Sequence, residues 1–242
     1  MIKAERNKSF EHFFYLYNRM LIKRSFHQVS LTKSSSLPTQ KRGIYLINHS
    51  SWWDSLMLFY LNQKILKLDA IAMMAEDGMK RFPFFKKIGA FSVNPGSRRS
   101  LIESLSYAAE QLKNEKHLFL FPQGNETHLE KRPFNFFSGA GYLHDKAPST
   151  PVIPVVFYHG LFHHQLPEWF IHIGEPITFP AQSSRKEKTY LFEKAAEHEL
   201  EYLKKLVILD DPSKFRVLLR GKKGIGQHWE GFKGVFQRGK HT

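Results

Sequence analysis

In the stretch Asn48-His49-Ser50-Ser51-Trp52-Trp53-Asp54 a histidine and an aspartate lie five positions apart, directly after the apolar run 43–47. An imidazole held by a carboxylate is a general base. The carboxylate fixes one ring nitrogen as proton carrier and stabilises the imidazolium, and the other nitrogen is left to take a proton. On one continuous helix His49 and Asp54 would point about 140° apart and could not meet. They meet if His49 lies in a loop and a helix begins at Ser50 or Ser51, both good caps, so that Asp54 turns back from the first turn. The plainer alternative is a capping serine with an incidental histidine and a surface aspartate. His159-x3-His163-His164 has the look of a metal cluster, but histidines near a strand end are more often solvated or packed, and no metal is expected. The chain has no cysteine, which excludes a thiol nucleophile, a disulfide scaffold and cysteine-bound zinc or iron–sulfur.

The elements that must position this pair read as an α/β fold. Residues 43–47, 70–74, 90–93, 117–121, 151–158 and 169–173 are short apolar runs of strand type. Between or after them come helix-length segments at 51–61, 77–87, 98–113 and 185–206. Strands separated by helices predict a mainly parallel central sheet flanked by helices, with functional residues just past the carboxyl ends of the strands. His49 stands at such an end. Arg98 and Arg99 open the 98–113 helix, whose N-terminus favours anions, so they are candidates for phosphates of a ligand or else two solvated charges.

The 242 residues suit one α/β domain with short extensions. The net charge of +14 sits at the ends. Residues 1–33 hold seven Lys/Arg against two acids, and residues 214–242 hold eight against one, while the body is nearly neutral. Both ends also carry aromatics: Phe10, Phe13, Phe14, Tyr15, Tyr17 and Phe26 in the first, Phe215, Trp229, Phe232 and Phe236 in the second. Basic plus aromatic composition suits an anionic membrane surface, where charges meet head groups and rings settle at the interface. It would also suit nucleic acid, but no stacking-rich strand signature or helix-turn-helix cue supports that partner. The partition expected is an amphipathic helix and connector at 1–39, a catalytic body at 40–212 and a basic, glycine-rich tail at 213–242. No run of ~18 apolar residues is present and the first residues do not read as a secretory signal, so a peripheral protein of a reducing compartment is expected.

Four blocks in order carry a resemblance to a known family. Asn48-His49-x4-Asp54 resembles the His-x4-Asp motif of the glycerolipid (PlsC-like lysophospholipid) acyltransferases. Gly89-Ala90-Phe91-Ser92-Val93-Asn94 is similar to their second block, and Phe121-Pro122-Gln123-Gly124-Asn125-Glu126 to their Phe-Pro-Glu-Gly-Thr-Arg block. Val152-Ile153-Pro154-Val155 matches the fourth, and the stretch 133–140 resembles the Phe-Lys-x-Gly-Ala segment before a helix. The resemblance spans about residues 40–180. It implies transfer of a fatty acyl group from a CoA or acyl-carrier-protein thioester, as co-substrate, to a lipid hydroxyl on the cytoplasmic face of a membrane. His49 is then the base and Asp54 its orienting partner, with no resident cofactor. Backbone N–H groups around Gly124 are the candidates for oxyanion donors, by position.

The departures bear on the acceptor. The family's phosphate-clamp arginines fall at Pro95 and Glu126, one neutral and one negative. Gln123 replaces a glutamate with an amide that can donate and accept, suited to a hydroxyl-rich head group. The substrate-binding set expected is therefore Gln123, Gly124, Asn125, Glu126 and Pro154, with Arg98, Arg99 and Arg132 able to rebuild a phosphate site of different geometry. A glycolipid, carotenoid glycoside or other non-phosphate lipid alcohol is the expected acceptor. The rivals are lysophosphatidate and, outside enzymes, an inactive peripheral lipid-binding relative.

Overall fold

The computed structural model of the chain describes residues 1–222. Helix α1 (Lys8–Ser25) leads into β1 (Gln28–Thr32), β2 (Ile44–Ile47), α2 (Trp53–Leu61), β3 (Ala70–Ala75), α3 (Glu76–Arg81) and β4 (Ala90–Val93). Then follow α4 (Arg98–Lys113), β5 (His117–Leu120), α5 (Gly139–Lys146), β6 (Val152–Gly160), β7 (Glu168–Ile173), α6 (Arg185–Ile208) and β8 (Phe215–Arg220). The strands form one eight-stranded sheet in the order β4-β3-β5-β2-β6-β7-β1-β8. The pairs β3·β4, β3·β5, β2·β5, β2·β6 and β1·β7 are parallel, whereas β6·β7 and β1·β8 are antiparallel. The sheet is mainly parallel, as expected, with an antiparallel turn-back on one side.

Both faces of the central strands are covered, which is why they read as unbroken apolar runs rather than alternating ones. Tyr45 and Ile47 of β2 enter one cluster with Met57, Leu58 and Leu61 of α2 and Ile22 of α1. Their neighbours Ile44 and Leu46 point the other way, to Leu105, Ala108 and Leu112 of α4 and Leu143 of α5. Ala196, Leu200 and Leu203 of α6 cover Val156 and Phe170 on β6 and β7. Helix α6 is started by a full capping box, Ser184 and Glu187 each bonding the other's backbone.

Four local features differ from the sequence reading. Strand β1 was hidden because Ser30 and Thr32, buried at 1% and 2% exposure, break its apolar pattern. Strand β8 was hidden inside a basic stretch, and it pairs antiparallel with β1. Both lie outside the segment 40–212, so neither boundary of that segment coincides with an edge of the sheet. The helix expected over 77–87 is split: Phe82 precedes Pro83 and leaves the helical region (φ −129°, ψ 71°), which ends α3 before a 3-10 turn over Pro83–Ile88. Helix α2 begins at Trp53, two or three residues later than the serines proposed as its caps.

Helix α1 is packed rather than free. Phe14 meets the rings of Phe59, Phe84 and Phe85, and Asn18 Nδ2 donates to Leu56 O of α2 at 2.8 Å. Its other apolar stripe, Phe13, Leu16, Tyr17 and Met20, stays exposed, at 66%, 49%, 48% and 48%. Trp229, Phe232 and Phe236, with the glycine-rich segment expected beyond Gly221, fall almost wholly outside the described residues.

Candidate active site

Strand β2 stops at Ile47, and the chain turns out of the sheet through Asn48 to Trp52 before α2 begins. Asp54, fully buried in the first turn of α2, reaches back over this loop. Its Oδ2 accepts from His49 Nδ1 at 2.8 Å and from the backbone N–H groups of Ser50 and Ser51 at 2.7 and 2.8 Å. Because that oxygen already receives two N–H donors, the third contact is also a donor, so Nδ1 carries the imidazole proton. The lone pair is then on Nε2, which is the arrangement a general base requires. The aspartate ties down the loop that precedes the helix and aims the imidazole with one oxygen, while Ser51 Oγ accepts from Trp53 N, the first N–H of α2, at 3.2 Å.

The loop carrying His49 is held from both sides. On one side Asn48, 1% exposed, continues the pairing of β2 with β6 beyond the last ladder pair, Ile47 with Val155. Its Nδ2 donates to Phe157 O at 3.0 Å and its Oδ1 accepts from Phe157 N at 2.7 Å. On the other side, Gln123 Oε1 accepts from His49 N at 2.6 Å, and Thr127 N donates to His49 O at 2.9 Å. Gln123 Nε2 donates to Thr127 Oγ1, closing the bracket. The Phe121 ring lies against the imidazole, centroids 4.5 Å apart. Asn48, Phe121 and Thr127 were not singled out as functional from the sequence. The available signal was their place at the ends of β2 and β5, where side chains converge on the switch in a parallel sheet.

His49, Asp54 and Gln123 thus come together, but Gln123 is buried at 6% and its amide is engaged with the His49 loop rather than turned to a head group. Gly124, Asn125 and Glu126 form the exposed turn after β5. Gly124 takes φ +74°, and a Cβ there would meet the Phe137 ring at 2.6 Å, so glycine is required by both backbone and space. Its N–H donates to Phe121 O at 3.0 Å, so this group belongs to the turn and is not the free oxyanion donor expected by position. Pro154 is buried mid-strand opposite Leu46, and its carbonyl accepts from Gly174 N at 2.9 Å, which gives it a place in the sheet rather than in an opening. Arg98 and Arg99 are exposed in the first turn of α4, where Ser97 accepts from Ser100 N as the cap. Arg132 is engaged elsewhere: its guanidinium meets Glu201 at 2.9 Å, two carbonyls and the Phe134 ring.

The three histidines of the possible metal cluster separate. His159 stacks on Trp169, His164 pairs with Glu168 at 2.9 Å and His163 with Asp210 at 3.2 Å. Among the described residues no three metal-ligating side chains converge.

Comparison with known proteins agrees with this geometry. No curated protein matches the chain in sequence. A solved structure, the 1-acyl-sn-glycerophosphate (LPA) acyltransferase PlsC from Thermotoga maritima, superposes with a TM-score of 0.58 over 83% of this chain and 84% of its own, at 20% identity. The fold is therefore shared with that enzyme. The family model described as Acyltransferase matches residues 28–158, more than half of the chain, from β1 through the His49 loop to Tyr158 in β6. With its histidine and aspartate joined at the end of a central parallel strand, this chain belongs to the acyltransferase family.

Proposed function

We propose that the protein moves a fatty acyl group from an acyl-CoA or acyl-carrier-protein thioester to the hydroxyl of a lipid acceptor. The observation that carries this reading is the contact of Asp54 Oδ2 with His49 Nδ1, which leaves Nε2 as base. In the reaction Nε2 takes the hydroxyl proton as the acceptor oxygen attacks the thioester carbonyl. The tetrahedral intermediate collapses, the C–S bond breaks, and the imidazolium returns its proton to the departing thiolate. Ester and free thiol are the products, and no acyl-enzyme forms, in keeping with a chain that has no cysteine. The thioester is a co-substrate, and no step calls for a metal or a resident cofactor.

A neutral, hydroxyl-bearing acceptor such as a glycolipid or carotenoid glycoside suits the site better than a phosphate. Glu126 is exposed on the turn beside the His49 loop, Pro95 offers no charge, and Arg132 already faces Glu201. An anionic head group near Glu126 meets repulsion that rises as water is excluded. One observation favours the second reading, lysophosphatidate as acceptor: Arg98 and Arg99 are the exposed first two residues of α4, at a helix N-terminus that favours anions. The same pair would serve the phosphates of CoA.

The exposed stripe Phe13, Leu16, Tyr17 and Met20 supports peripheral docking on a membrane surface. Arg19, Lys23, Arg24 and Lys222 line the groove beside Leu16 and Met20, a placement suited to anionic head groups. Among the described residues no helix is long and apolar enough to cross a membrane. The test is thiol release from palmitoyl-CoA by purified protein, offered an alkyl glucoside or lysophosphatidate on anionic vesicles. Release is expected with the glucoside and abolished by His49→Ala. A folded His49→Ala protein with wild-type turnover would end the mechanism.

A further inference from the structure

Next to the catalytic pair, Ser50 and His159 meet in a contact the acid–base step does not use. Ser50 Oγ lies 3.2 Å from His159 Nε2, while the Ser50 backbone N–H donates to Asp54 Oδ2 at 2.7 Å. Ser50 therefore links the aspartate that aims His49 to a side chain on β6. His159 has a fixed seat. Its ring lies parallel on the indole of Trp169, centroids 4.2 Å apart and planes 16° apart. Trp169 is 1% exposed and is itself held edge-on by Phe26 and Phe157, at 5.4 and 5.8 Å. Burial keeps the His159 imidazole below the ordinary histidine pKa, with the Asp54 charge partly opposing. At neutral pH the ring is then uncharged, and Nε2 and the Ser50 hydroxyl share one hydrogen bond whose direction follows the tautomer of the ring.

The same stretch of β6 grips the loop twice, at alternate residues: Phe157 through the side chain of Asn48, and His159 through the side chain of Ser50. Gln123 and Thr127 hold the opposite side at His49 itself. Without the grip at residue 159, Ser50 can swing, and its N–H then leaves Asp54 Oδ2. The carboxylate loses one of the donors that orient it, and the aim of His49 Nδ1 loosens with it. A catalytic group displaced by ~1 Å can cost ~100-fold in rate, so a hydrogen bond one residue from the base has a large lever.

We propose that His159 is a positioning residue for acyl transfer, which holds Ser50 by a hydrogen bond and through it the Asp54–His49 pair. The proposal rests on the reading of His49 as the base. Two variants separate this role from packing. His159→Phe keeps a ring to stack on Trp169 but cannot hydrogen-bond to Ser50, whereas His159→Gln gives up the stack and keeps a polar group for the hydroxyl.

The experiment measures kcat and KM by thiol release from palmitoyl-CoA, with the alkyl glucoside and with lysophosphatidate, and melting temperature alongside. His159→Phe and Ser50→Ala should each lower kcat by ~10–100-fold, with KM changed less than about twofold and melting retained. The double variant should be no worse than the poorer single, because both remove the same contact. His159→Gln should recover kcat to within about threefold of wild type, even if it melts lower. Wild-type kcat in His159→Phe, multiplying losses in the double variant, or a His159→Gln protein as slow as His159→Phe would overturn the proposal. If His159→Phe does not fold, Ser50→Ala against His159→Gln decides, since full activity in Ser50→Ala also overturns it. A wild-type protein inert with both acceptors, or an active His49→Ala, would instead refute the underlying reading of the site, and this role with it.

Discussion

Replacing Asp54 by asparagine removes one charge from a buried group while leaving its shape, and the contacts of the carboxylate dictate how the amide must sit. Three donors converge on Oδ2, namely His49 Nδ1 and the N–H groups of Ser50 and Ser51. The amide oxygen has to occupy that position, because an NH2 there would face three donors. The NH2 then takes the place of Oδ1, which is buried and without a hydrogen-bond partner. Loop and tautomer are both kept, and the loss is the negative charge that stabilises the imidazolium. The His49 side chain is 17% exposed, so an effective dielectric of about 20 applies, and charge centres about 4 Å apart attract by about 4 kcal/mol. At 1.36 kcal/mol per decade this is a ~10³-fold loss in kcat. The stranded amide N–H costs a further ~1–3 kcal/mol of stability, visible as a lower melting temperature. Thiol release from palmitoyl-CoA follows the rate without background, since the chain has no cysteine of its own. A folded Asp54→Asn protein within threefold of wild-type kcat would refute the argument, whatever its stability.

Gln123→Leu removes the acceptor of His49 N–H inside a buried bracket and is expected to lower kcat ~10–100-fold with a lower melting temperature; unchanged kcat in thiol release would show that Thr127 alone sets the loop. Changing Arg19, Lys23 and Arg24 to glutamine should reduce flotation with anionic vesicles at low salt much more than with zwitterionic ones, each cation being worth ~1 kcal/mol, whereas changing Leu16 and Met20 to serine should weaken both; protein that never floats with anionic vesicles contradicts membrane docking. Glu126→Arg should shift acceptor preference from the alkyl glucoside toward lysophosphatidate, read as the ratio of kcat/KM values, and an unchanged ratio would remove Glu126 from the acceptor's surroundings. His117 is buried and desolvation lowers its pKa, so the folded state favours the neutral ring. The unfolded chain binds that proton first, and stability should fall as pH drops below ~6.5. His117→Gln should flatten the acid side of a melting-temperature profile, and an unaltered slope would assign the effect to other histidines.

The sequence made the central sheet legible because strands covered on both faces must be apolar almost throughout, and 44–47 and 118–121 are. The pairing of His49 with Asp54 was legible for a different reason: the spacing alone left an incidental histidine open, and it was the resemblance to the His-x4-Asp motif, with three further blocks following in order, that singled the two residues out. What resisted reading were polar residues with structural work to do. Thr32 is buried against His172, at 2.6 Å, and that polarity masked β1. Gln123 carries an amide fit for a sugar hydroxyl, yet its partners are backbone and a threonine, because the loop it faces has an N–H and a carbonyl to satisfy. Asn48 sat in plain view, but a side chain that prolongs a ladder is recognised only when the neighbouring strand is known.

The position of β1 between β7 and β8 sets a timetable for the ribosome. Gln28 pairs with Glu168, 140 positions later, and with Arg220 later still. At ~5–20 residues per second the first of these partners emerges only ~7–28 s after β1 does. The strands β2 to β5 can meet meanwhile through their short crossovers. Val29 and Leu31, buried in the finished sheet, must wait in an unpaired segment that is open to chaperones and to mispairing with strands already present. Closure of the sheet at β1 and β8 then comes after all its other strands have been made. A nascent chain halted before β7 should show a protease-sensitive segment at 28–32.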